Sequence, residues 1–260
     1  MIAQRPPELR RAMPPGAPAS ALPPAQTPDC DTLAAVRLWS LDLARAPADD
    51  PTPLSQDEIA RMAAIRDPRS RAVFAMTRRA LRRILAQMLD CAPAEVRLTT
   101  GWNGKPALAP RPGRAVPFFS VSHSGDHALI ATSLSGELGV DLEAETPRRN
   151  GLRIAARFFA PAEVEALHAL PEDRQGDAFT RLWTLKEAVI KATGEGLARR
   201  LDSFAIDLAA CRLRPEPASA PPGPWHLAQL PAPPGYRAAL ALRVSTVPEA
   251  ELRRATATCN

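Results

Sequence analysis

Two segments place charged side chains where they could act together. In LGVDLE, residues 138–143, a strand would alternate its side chains. Gly139, Asp141 and Glu143 then share one face, and Val140 and Leu142 the other. Two carboxylates at i and i+2 can ligate a hard cation such as Mg²⁺. Two acids on a solvent-facing strand give the same pattern. Gly139 would let a neighbour approach the backbone on the carboxylate face. In LWTLKEAVIK, residues 182–191, helical spacing aligns Phe179, Leu182, Trp183 and Ile190 as an apolar stripe. Lys186 falls in the middle of that stripe. A lysine there either snorkels out or faces an anion. Glu187 and Lys191, at i and i+4, sit beside Trp183; the same spacing also describes an ordinary surface pair.

Two further segments hold groups suited to phosphate. SVSHSG, residues 120–125, puts a histidine between serines at a strand end, where hydroxyls, imidazole and turn amides can cradle an anion. WNGKP, residues 102–106, is an Asn-Gly turn followed by Lys105, and it also reads as a plain hairpin turn. Nucleophilic catalysis by Ser122 and His123 is disfavoured. There is no GxSxG elbow, and adjacent strand residues point apart. Only three of the 33 basic residues are lysines, and all three (Lys105, Lys186 and Lys191) lie in these segments. Arginine is a planar fork and lysine a compact charge, so the three exceptions pose the question of whether these places need a lysine.

These groups need elements to position them. Strands are expected at 36–43, 96–100, 118–122, 127–133, 138–143, 202–208 and 236–244. Asp67-Pro68 reads as a helix start, with the helix running to about Asp90. Arg71, Arg78 and Arg82 would line one flank of its buried stripe, as snorkelling side chains or as an anion-binding edge. Further helices are expected at RIAARFF, from Pro161, and from about Arg174 to Thr193. Residues 215–235 hold eight prolines and read as a loop. The organisation is an arm at 1–32, halves at 33–135 and 136–249, and a tail at 250–260.

The chain has 260 residues, 45% of them hydrophobic, enough for one large domain or two small ones. No run of residues is long and apolar enough for a membrane span, and the first residues lack the apolar region of a secretory signal. The four cysteines form no CxxC or Cys/His cluster, so reduced thiols in a cytoplasm are expected. The formal charge of +5 comes from dispersed arginines, and aromatics are 5% of residues. Neither favours nucleic acid.

In order, NGKP, FFSVSHSG, GVDLE, RFFAPAEVEAL, FTRLWTLKEAVIKATGEGL and LDSFAIDL resemble the 4′-phosphopantetheinyl transferases, specifically the larger single-chain, surfactin-synthetase-activator class. The resemblance covers roughly residues 70–208. It implies an α+β fold of two similar α/β halves related by a pseudo-twofold, with coenzyme A in the cleft between them, working as a monomer. It implies transfer of phosphopantetheine from coenzyme A to a serine of an apo acyl or peptidyl carrier protein, with 3′,5′-ADP released. By position, Asp141, Glu143 and Glu187 look like magnesium ligands. Lys191 would hold the pyrophosphate, with Lys186 adding charge nearby. Glu187 would serve as general base. Ser122 and His123 look like the 3′-phosphate site, Gly104, Lys105 and Pro106 like the adenine-proximal turn, and Arg71 and Arg78 like basic contacts to the coenzyme. The competing readings are a non-catalytic coenzyme A or nucleotide-binding module of this fold, and a basic nucleic-acid-binding protein.

Overall fold

The computed structural model describes residues 36–46, 50–101, 104–145, 150–214 and 224–244. The expected arm and tail, and Asn103 of the turn, lie outside the described residues. Among the described residues there are ten strands and five α-helices, grouped in runs along the chain. The strands are β1 (Arg37–Asp42), β2 (Leu98–Thr100), β3 (Pro106–Leu108), β4 (Phe118–Ser124), β5 (His127–Ser133), β6 (Gly136–Ala144), β7 (Ile206–Asp207), β8 (Arg212–Leu213), β9 (Trp225–Leu230) and β10 (Tyr236–Val244). The helices are α1 (Gln56–Ala64), α2 (Pro68–Leu89), α3 (Gly151–Phe158), α4 (Pro161–His168) and α5 (Glu172–Thr193).

The same parts occur twice. One three-stranded antiparallel sheet has the order β1-β5-β4 and a second β6-β10-β9, with two-stranded pairs β2-β3 and β7-β8 besides. Each three-stranded sheet packs against a 22-residue helix, α2 or α5. The chain is therefore an α+β protein of two similar halves. Leu129, Ala131, Leu138, Val140, Leu142 and Leu240 form a third core, shared by strands of both sheets.

Local chemistry fixes the ends of the long helices. Asp67 caps α2 by accepting from the Ser70 amide at 2.7 Å, with Pro68 in the first turn. Helix α5 ends at Gly194, whose φ of +73° suits glycine and whose N–H donates to Ile190 at 3.1 Å.

The two sheets meet at the edges β4 and β6, and serine hydroxyls make the link. The amides of Val140, Leu142 and Ala144 donate to Oγ of Ser120, Ser122 and Ser124 at 3.0, 3.2 and 3.0 Å. Alternation along SVSHS puts all three hydroxyls on one side. Edge amides that would otherwise lie unpaired are thereby satisfied.

Two expectations need correction. The stretch 215–235 is not all loop: WHLAQL, free of proline, forms β9 beside β10. Its prolines lie outside the strand, so they do not interrupt the ladder. Segment 202–208 is largely irregular, with a 3₁₀ turn at Leu201–Ser203 and only Ile206–Asp207 as strand.

Candidate active site

Alternation in β6 falls as its sequence requires. Leu138, Val140 and Leu142 face the shared core, and Gly139, Asp141 and Glu143 face α5. A Cβ at Gly139 would overlap backbone atoms of Ala188 and Ala192. What the glycine admits is thus helix α5 itself, which brings Glu187 and Lys191 over the strand's carboxylates.

Asp141 is buried at 4% exposure. Its Oδ1 accepts from Lys191 Nζ at 2.7 Å and from Ser122 Oγ at 3.0 Å. Its Oδ2 is buried with no hydrogen-bond partner. Glu143 Oε1 accepts from Trp183 Nε1 at 3.0 Å. Trp183 lies 6.2 Å from the Phe159 ring and 6.0 Å from Phe179, so the indole is held by packing and orients the glutamate. Glu187 is half-buried on α5. Burial pushes its carboxyl above the ordinary carboxylate range, as do the charges of Asp141 and Glu143, with Lys191 pulling the other way. The three acids share an electrostatic neighbourhood. Among the described residues, no three His, Cys, Asp or Glu side chains are gathered as a closed metal site.

A cleft of about 370 Å³ opens beside Lys191 and runs between the halves. From the first half it is lined by Arg61, Phe74, Arg78, His123 and the turn residues Gly104 and Pro106. Arg61 and Arg78 place their guanidinium carbons 5.8 and 5.4 Å from the Phe74 ring centre, so both cations lie against one aromatic ring. Burial lowers the pKa of Arg78, with Glu58 opposing. Glu58 is the capping-box glutamate of α1 and pairs with Arg78 at 3.6 Å and Arg82 at 2.6 Å. It therefore ties α1 to α2. Thr77 Oγ1, also at the cleft, is buried without a partner. Burial and then the charge of Lys191 lower the pKa of His123.

The sequence-expected residues separate into two groups. Asp141, Glu143, Glu187, Lys191, His123, Arg78, Gly104 and Pro106 lie at the cleft or at the carboxylates beside it. Ser122 does not face the cleft with His123. Its hydroxyl donates to Asp141 and accepts from the Leu142 amide and Lys191, which exhausts its bonding capacity. Arg71 is exposed, and its guanidinium is spent on the Ile65 carbonyl at 2.8 and 3.0 Å. Lys186 is a clear correction. It is fully buried and pairs with fully buried Glu163 at 2.7 Å, so it faces an anion supplied by the chain and not the coenzyme. Lys105 borders the cleft, but its ammonium donates to the carbonyls of Leu138 and Ala192. Arg61 was not anticipated. Ser55-Gln-Asp-Glu58 is a capping box that announces α1, and Arg61 lies in its last turn.

Comparisons with known proteins give the same assignment. Residues 137–241 match the family described as the 4′-phosphopantetheinyl transferase superfamily. The slr0495 protein of Synechocystis sp. is 40% identical over 178 residues, covering 68% of this chain and 72% of that protein. The 4′-phosphopantetheinyl transferase HetI of Nostoc sp. is 36% identical over 204 residues, covering 75% and 82%. The 4′-phosphopantetheinyl transferase Sfp of Bacillus subtilis is 35% identical over 128 residues, covering 49% and 54%. The chain belongs to the 4′-phosphopantetheinyl transferase superfamily, in its single-chain, Sfp-type class.

Proposed function

We propose that the chain transfers the 4′-phosphopantetheine group of coenzyme A to a serine of an apo acyl or peptidyl carrier protein. One observation carries the site assignment: a cleft lined with cations from both halves ends beside Lys191, which pairs with Asp141, and beside Glu187, on which Asp141 and Glu143 act. Coenzyme A has a 3′-phosphate and a pyrophosphate, so it needs positive charge at two separated places. Arg61, Arg78 and His123 suit the 3′-phosphate, and Lys191 suits the pyrophosphate. His123 is held toward its neutral form by burial and by Lys191; a phosphate dianion would favour the charged form.

The residues fit a divalent cation. Asp141 Oδ2 is buried without a hydrogen-bond partner, and the negative charges of Asp141 and Glu143 both act on Glu187. Asp141, Glu143 and Glu187 would hold Mg²⁺. When bound, the ion supplies positive charge to the pyrophosphate as the leaving group departs. The remaining work falls to the protein. Glu187 accepts the proton of the carrier's serine hydroxyl as general base. The serine oxygen bonds to the phosphorus bearing pantetheine, and the bond from that phosphorus to the bridging oxygen of 3′,5′-ADP breaks. Lys191 stabilises the negative charge that the released group takes up.

One chain supplies both walls of the cleft, which suits a monomer. Among the described residues, Cys91 and Cys211 are free cysteines. No described helix is long and apolar enough to cross a membrane.

The direct test is the intact mass of apo carrier proteins incubated with the enzyme, coenzyme A and Mg²⁺. One phosphopantetheine per carrier is expected; no gain across fatty-acid, polyketide and peptide-synthetase carriers would refute the proposal. Arg61→Ala and His123→Ala are each expected to raise KM for coenzyme A about tenfold, the loss of roughly one charge-assisted hydrogen bond. Neither should affect 3′-dephospho-coenzyme A. Equal effects on both substrates would remove these residues from the 3′-phosphate site.

A further inference from the structure

Lys105 stands in a turn of the first half, yet its ammonium ends in the second. Nζ donates to the carbonyl of Leu138 on β6 and to the carbonyl of Ala192 in the last turn of α5, both at 3.2 Å. The last carbonyls of a helix lack partners within it and carry its negative dipole end, so a cation there satisfies and neutralises both. Gly194, just past α5, lies beside the stem: a Cβ there would meet Lys105 Cδ at 3.4 Å, an ordinary contact. The ammonium is desolvated, and burial brings its pKa down to about 8 despite attraction from Glu137 on β6, with Arg243 on β10 opposing.

We infer that Lys105 is a positioning residue that braces the cleft-lining turn against β6 and α5, not a phosphate ligand. Three pieces of the site converge on it. Its neighbours Gly104 and Pro106 line the cleft. Leu138 precedes Asp141 on β6, and Ala192 follows Lys191 on α5. The brace therefore fixes the distance between the end of the cleft that holds the nucleotide and the end that holds the carboxylates. Misplacement of reacting groups by about 1 Å costs on the order of 10²-fold in rate. The inference rests on the transferase reading for its kinetics, and on geometry alone for its dynamics.

The test uses the full chain with Lys105→Met, which keeps the length and removes the donors. Lys105→Gln, one bond shorter and still a donor, is the second variant should the first not fold. With Lys105→Met, kcat is expected to fall by about 10²-fold, equally for coenzyme A and 3′-dephospho-coenzyme A, with Lys105→Gln intermediate. Hydrogen exchange is expected to quicken together at residues 104–105 and 190–196 in Lys105→Met while the β1-β5-β4 sheet stays protected. A rise in KM confined to coenzyme A, with kcat and exchange unchanged, would overturn the inference and make Lys105 a phosphate ligand. Failure of the transferase reading shows differently: the unmodified enzyme would add no mass to any carrier, while the exchange result would still decide the brace.

Discussion

Glu187→Gln lowers transfer by about 10²–10⁴-fold, the range that a general base contributes, while the protein stays folded. The substitution is close to isosteric at a half-buried position, so packing is retained. It removes the group whose carboxyl is raised by burial and by Asp141 and Glu143. The sign of the stability effect follows from that direction. An acid whose pKa is raised on folding is disfavoured as a charge in the native state. This cost is fully present above the folded pKa and vanishes below the unfolded one. Glu187→Gln should thus melt at or above the unmodified protein at neutral pH, with the difference shrinking as pH falls through the raised pKa. Intact-mass kinetics, and thermal melts of the metal-free protein between pH 5 and pH 8, read the two effects. Turnover retained in a folded Glu187→Gln protein would remove Glu187 from the chemistry.

The residues of this site differ in how far their roles could be read from sequence. Asp141 and Glu143 are placed by strand alternation, and Glu187 and Lys191 by helical spacing, both local rules. What the Gly139 face would meet was not local: only packing shows that it is α5. Alternation also separates Ser122 from His123, but a resemblance assigns motifs whole and so paired them. The serines of SVSHS satisfy the edge of β6, a use visible only once two sheets lie side by side. Arg61 was legible in part, since a capping box marks its helix, but its contact with Phe74 beside Arg78 needs the packing of α1 on α2. Strand β9 was hidden because prolines flank it on both sides and dominate the composition of its neighbourhood.

Lys186 is the case where the sequence posed the right question and could not supply the answer. Its position within an apolar stripe demanded an anion, and the anion is Glu163, on another helix. The pair is sealed at 0% exposure on both sides. Nζ also donates to the Phe204 carbonyl at 2.8 Å and lies 4.2 Å from the Phe204 ring centre and 5.3 Å from that of Phe159. Glu163 in turn accepts from the amides of Ile206 at 2.8 Å and Ala160 at 2.9 Å. Lys186→Met would leave that carboxylate buried without its counter-charge. Breaking such a pair from one side costs about 3–5 kcal/mol, a large share of the roughly 5–15 kcal/mol that holds a typical domain together. The urea midpoint should fall accordingly, while the protein still folded in the absence of urea keeps its KM for coenzyme A. Adding Glu163→Gln to Lys186→Met should recover part of the loss, because a neutral amide is cheaper to bury than a lone charge. The opposite outcome, unchanged stability with a raised KM, would return Lys186 to the coenzyme. The buried pair joins α4, α5 and the chain leading into β7, and Lys186 adjoins Glu187 on α5. Its loss should therefore reach catalysis only through the seating of that helix.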